Sequence, residues 1–147
     1  MGDFAQALGI CVAALNAVAG VYGAWRWWRV EPDRAFWALL RAAQAAAAVL
    51  ALAAGVLYLA GRRPDDGLYW LYVLLPIPVS FFAEQLRAVS AQTVLDARGL
   101  ESAQAVGALP AADQQSIVRA ILRRETGIMA LSCLVVCFLV LRALGTA

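Results

Sequence analysis

The chain has 147 residues, 63% hydrophobic and 15% charged, with net charge +2 and mean hydropathy +0.73. Soluble domains carry about 25% charged residues, so this chain is too apolar to hide its surface from water by folding alone, and its small net charge gives nucleic-acid binding no footing. All 12 basic residues are arginine, with no lysine and no histidine, which excludes histidine-ligated haem or zinc and histidine acid–base catalysis.

A membrane helix needs about 20 mostly apolar residues, and four segments qualify in chain order: about 4–28, 36–60, 68–87 and 126–144. The first reads as a retained span, not a cleaved signal, because it starts with Asp3 and its apolar core runs straight into WRWWR. The third contains Pro76 and Pro78, which predict a kink or local unwinding. The segment 88–125 is the only sizeable region outside the spans. Within it, SAQTVLDARGL predicts a helix continuing span three to about Arg98 and ending at Gly99. Pro110 predicts a helix start, with Asp113 suited to the positive end of the dipole, running unbroken into span four. The expected fold is an all-α integral membrane four-helix bundle, a single unit over 1–147 with a helical cytoplasmic connection between spans three and four.

Arginine counting orients it. Arg26, Arg29, Arg34, Arg87, Arg98, Arg119, Arg123 and Arg124 fall on one side, and Arg62, Arg63 and Arg142 on the other. Cytoplasmic loops carry the excess of positive charge, so both termini are expected outside. Trp25, Trp27, Trp28 and Trp37 then form the cytoplasmic aromatic belt, and Tyr58, Tyr69 and Trp70 the outer one. Arginine without lysine, beside abundant alanine, fits a GC-rich genome, and the expected location is a plasma or bacterial inner membrane.

Ionisable residues inside spans are costly and by default suggest a site. The expected buried polar layer, a possible ion or substrate site, comprises Arg41 and Gln44 on span two, Ser80, Glu84 and Arg87 on span three, and Glu125 entering span four. Arg41 lies about 8 Å inside the cytoplasmic end of its span at 1.5 Å per residue, level with Glu84 and Arg87. Side chains tilt toward a helix's N-terminus, so Arg41 leans toward water while Glu84 leans into hydrocarbon and wants a cation or an added proton, with Arg41 or Arg87 as its expected partner. Glu125 falls on the apolar face of its helix, with Arg41 and Arg87 as its expected partners.

Asn16 and Gly20 on span one, and Ala43, Ala47, Ala51 and Gly55 on span two, form small-residue faces that allow close helix approach. Cys11, Cys133 and Cys137 lie in apolar stretches with no C-x-x-C, and read as small buried hydrophobes. No metal and no cofactor are expected.

In size, four spans and outward termini the chain is similar to the membrane-associated glutathione- and eicosanoid-metabolising family. That family's Arg/Asn/Glu-rich pattern on span two is not found in RAAQAAAAVLALAAG, so no residue or activity is carried over. The expected function is a noncatalytic membrane protein, an accessory or assembly subunit or scaffold. The alternative is a homo-oligomeric channel or transporter for a small ion or solute with Glu84 at its site, ahead of a small membrane enzyme. Expected partners are membrane lipids and a second copy or another membrane protein.

Overall fold

The computed structural model describes residues 3–31, 33–64 and 66–146; Met1, Gly2, Pro32, Asp65 and Ala147, and with them both ends of the expected 1–147 unit, lie outside the description. All secondary structure among the described residues is helical: α1 (Asp3–Arg29), α2 (Arg34–Leu59), α3 (Leu68–Leu74), α4 (Pro76–Ala88), α5 (Ser90–Ala97), α6 (Ala103–Gly107) and α7 (Ala111–Leu144). Three of these, α1, α2 and α7, are long and apolar enough to cross a membrane.

The third expected span is not one long helix. It is divided at Leu75 into α3 and α4, of 7 and 13 residues, each too short to cross alone. Pro76 stands at the first position of α4, where its missing N–H costs nothing. The Leu75 and Val79 amides still donate to the carbonyls of Leu71 and Leu75, so the hydrogen-bond ladder carries across the division. A second division, at Val89, starts α5. Gly99, with φ +68°, stands just past α5 in the left-handed region that glycine tolerates.

The helix α1 ends in an unusual way. Val30 takes φ +55°, a strained choice for a β-branched residue, and its N–H donates to the Arg26 carbonyl at 2.9 Å. Asp33 then caps α2, its carboxylate accepting the Ala35 N–H at 2.8 Å.

The most extensive packing is between α1 and α7, and α7 also meets α3, α4 and α5. Glycine makes the α1–α7 seam. A Cβ added at Gly9 would fall 2.7 Å from Leu144 Cδ2, one at Gly20 2.6 Å from Leu134 Cδ2, one at Gly23 2.9 Å from Ala130 Cβ, and one at Gly127 2.9 Å from Trp27 Nε1. As the α1 number rises the α7 number falls in step, which makes the pair antiparallel. Contacts of Asn16 with Ala43 and of Gly23 with Phe36 make α1 and α2 antiparallel in the same way.

Three apolar clusters fill the interior along the helix axes. The first centres on Phe36, Leu40 and Met129, the second on Val12, Leu50 and Val140, and the third on Ala54, Tyr69 and Val73. Ala43, Ala47 and Ala51 sit in the first, second and third respectively, each at most 8% exposed. The ladder ends there, because a Cβ at Gly55 would meet nothing within 4 Å and the next buried position is Ala54. Tyr69, expected in the outer aromatic belt, is buried in the third cluster and lies against Trp70. Cys133 is buried, Cys137 half-buried and Cys11 exposed, so burial of all three cysteines does not hold.

Candidate functional site

Because α2 and α4 run in opposite directions, a residue early in α2 meets one late in α4. Arg41 Nη1 donates to Glu84 Oε1 at 2.5 Å and to Gln44 Oε1 at 2.7 Å. Gln44 Nε2 in turn donates to Glu84 Oε1 at 3.1 Å. The other carboxylate oxygen of Glu84 lies 3.3 Å from Arg87 Nε, one turn on along α4. Arg87 is itself held from behind, with its guanidinium 5.0 Å from the centre of the Trp37 ring on α2. One carboxylate thus gathers two guanidiniums and an amide, and every hydrogen bond into it is charge-assisted.

This cluster sits at the rim of the helix packing, not in its centre. The side chain of Glu84 is 27% exposed, that of Arg87 33% and that of Arg41 54%. Beneath it lies the first apolar cluster, which includes Leu40, Ala43 and Ala83. Beside it, Phe81, Phe82 and Leu86 point outward and are more than half exposed.

Two residues expected in the polar layer are not drawn into it. Ser80 is half-buried and Glu125 is half-buried on α7, and among the described residues neither makes a side-chain hydrogen bond or ion pair. The expected pairing of Glu125 with Arg41 or Arg87 is not made: Arg41 is committed to Glu84 and Gln44, and Arg87 to Glu84 and Trp37. Asn16, 2% exposed, donates to the Val12 carbonyl on its own helix at 2.9 Å and reaches the Ala43 carbonyl on α2 at 3.5 Å.

A second polar cluster closes the α1–α2 connection. The Tyr22 hydroxyl donates to Asp33, and Arg26 pairs with Glu31 at 2.9 Å. Arg26 Nε also lies 3.2 Å from Asp33 Oδ2, but it makes no hydrogen bond, so that contact is coulombic. The Tyr22 hydrogen bond first, then the Ala35 N–H and the Arg26 charge, hold the Asp33 carboxyl below its ordinary range. Tyr22 is not among the residues singled out from the sequence. The available signal was Asp33 directly before a long apolar helix, which marks an N-cap.

Among the described residues, no group of histidine, cysteine, aspartate or glutamate has the arrangement of a metal site. Comparison with family models finds no match, and no curated protein or solved structure matches significantly.

Proposed function

We propose that this chain is a noncatalytic, multi-pass integral membrane protein, an accessory or assembly subunit, in which α1, α2, the α3–α4 pair and α7 all cross the bilayer. The Arg41–Gln44–Glu84–Arg87 cluster is its polar lock, near the cytoplasmic face. The observation that carries this reading is the saturation of Glu84. Its carboxylate takes hydrogen bonds from Arg41 and Gln44 and lies against Arg87, so the charge of Glu84 is matched by protein groups. Charges within a membrane are expensive unless paired. The large apolar side chains left outside, among them Leu52, Leu59, Phe82 and Phe138 at 60–85% exposure, are suited to lipid or to a partner's helices.

A second reading, the homo-oligomeric channel or transporter, draws on the position of the cluster. With Arg41 54% exposed at the rim, a neighbouring protomer could complete a polar path there.

Sidedness is tested with a reporter active only outside the cytoplasm, fused after Ala147 and, separately, inserted at Gly107. Activity at Ala147 and silence at Gly107 are expected. The reverse pattern would invert the orientation, and activity at both would remove the crossing by α7.

A further inference from the structure

Of the arginines on the proposed cytoplasmic side that have no acidic partner among the described residues, four gather in one place. Arg29, Arg119, Arg123 and Arg124 line a cleft of about 910 Å³ between the end of α1, α5 and the first turns of α7. Among the described residues none of the four is in an ion pair. Glu31 also lines the cleft, but it is taken up by Arg26. The cleft is therefore a concentrated, uncompensated positive site. Two of its guanidiniums are held by ring faces, Arg123 at 5.3 Å from the Trp27 ring and Arg29 at 5.5 Å from the Trp25 ring. Stacking orients a guanidinium while leaving its N–H edge free for oxygen ligands.

The cleft does not stop at the charges. Arg124 also borders an apolar groove of about 450 Å³ between α1 and α7, lined by Trp27, Gly127, Ile128, Leu131 and Leu134. Both lie on one stripe of α7, where Ser116, Arg119, Arg123, Gly127, Leu131 and Leu134 recur every three to four residues. The stripe changes from arginine to aliphatic where α7 enters its apolar stretch. At the junction Trp27 covers Gly127, and among the described residues its indole N–H donates no hydrogen bond. The strained Val30 lines the charged end.

We propose that this composite groove holds one anionic phospholipid, its phosphate headgroup among Arg119, Arg123 and Arg124 and an acyl chain along Leu131 and Leu134. Charge complementarity selects an anion, and the adjoining apolar groove selects an amphiphile over a free phosphate or an acidic protein segment. Basic pockets between membrane helices on the cytoplasmic side are suited to anionic headgroups. The inference rests on the membrane reading above, because the arginines must stand at headgroup level.

The test uses the full chain, purified in zwitterionic detergent, with native mass spectrometry of lipid retained from equimolar phosphatidylglycerol and phosphatidylcholine. One phosphatidylglycerol should be held in roughly tenfold preference, since each basic residue near an anionic headgroup is worth roughly fivefold and not all are fully engaged. Arg123→Gln/Arg124→Gln should abolish the preference, while Arg62→Gln/Arg63→Gln at the opposite end should leave it unchanged. Equal retention of the two lipids by the wild type overturns the proposal, and that competition decides it even where the double variant fails to fold. Displacement of the lipid by glycerol phosphate at comparable concentration reduces the site to an anion site and overturns the amphiphile. Displacement by a polyglutamate peptide alone assigns the cleft to an acidic protein partner and also overturns it. Alkaline carbonate washing of vesicles separates the two readings. A chain released by the wash fails the membrane reading, whereas one retained but without lipid preference fails only this inference.

Discussion

The ring of Phe36 occupies the space that a side chain at Gly23 would need. A Cβ at Gly23 would also press to 2.9 Å from Ala130 Cβ, so this one glycine brings α1, α2 and α7 together. Phe36 is 1% exposed within the first apolar cluster and has nowhere to retreat. Gly23→Ala is therefore expected to destabilise the fold by about 1–3 kcal/mol, the usual cost of overpacking, read as a lower melting temperature in detergent. Gly55→Ala is the control. Nothing stands within 4 Å of its added Cβ, and replacing a mid-helix glycine gains up to about 1 kcal/mol in helix propensity. Equal melting temperatures for the two variants would remove the three-helix contact at Gly23.

The Asp33 cap gives the α1–α2 connection a pH dependence. Its carboxyl is held below the ordinary range by the Tyr22 hydrogen bond first and then by Ala35 N–H and Arg26. A carboxyl with a lowered folded-state pKa binds protons less readily folded than unfolded, so its stabilisation is complete above the ordinary carboxylate value. It is lost as pH falls through the lower, folded value. Stability measured by denaturant titration should thus fall on acidification below the ordinary aspartate range. Asp33→Asn should flatten that part of the profile. An unchanged slope in Asp33→Asn would assign the acid sensitivity to other carboxylates.

The long helices were legible for a simple reason: each is an apolar run bounded by charge. The expected spans 4–28 and 36–60 correspond to Asp3–Arg29 and Arg34–Leu59, and the helix foreseen from Pro110 into span four is α7. Depth counted along α2 and α4 set Arg41 and Glu84 at one level, and the two side chains meet. The break at Leu75 had its prolines as a signal, but the break at Val89 has none. Periodicity assigns residues to a face without naming the helix opposite. That is why the expected partners of Glu125 are arginines committed elsewhere, and why the expected place of Gly55 in the ladder belongs to Ala54. The glycine seam of α1 and α7 needed the register of two helices far apart in sequence. Aromatic side chains read as belt residues turned out to hold charges: Trp37 backs Arg87, and Trp27 backs Arg123.

The alanine ladder predicts a sided response along α2. Ala47 is 4% exposed against Val12, Ala13, Val136 and Val140, whereas its neighbour Ala48 is exposed. Ala47→Leu forces bulk into a filled interior and is expected to cost about 1–3 kcal/mol. Ala48→Leu should fall within about 0.5 kcal/mol of the parent, as surface changes do. Thermal unfolding in one detergent compares them. A larger loss for Ala48→Leu would mean that this outer face is covered by a second copy, and gel filtration would then show a change in size.

The last prediction separates a structural lock from a conducting site at Glu84. Arg41 makes two of the cluster's three hydrogen bonds, to Glu84 and Gln44, so Arg41→Ala leaves a carboxylate and an amide with their shared donor gone. Hydrogen bonds to charged groups are worth about 1.5–3 kcal/mol, and a loss of that order is expected. Arg87→Ala removes the 3.3 Å contact to Glu84 and the stacking on Trp37 and should cost somewhat less, since Arg41 remains. Glu84→Gln should be mildest. The amide oxygen still accepts from Arg41, and both arginines are partly exposed, so their flexible stems can carry the freed charge away from the helix packing. Melting temperatures in detergent test this order, and ion flux into proteoliposomes runs beside them. Parental stability in all three variants would dismiss the lock. Flux in the parent that vanishes in Glu84→Gln at unchanged melting temperature would favour the channel reading, because an anion needed only for architecture has no reason to gate transport.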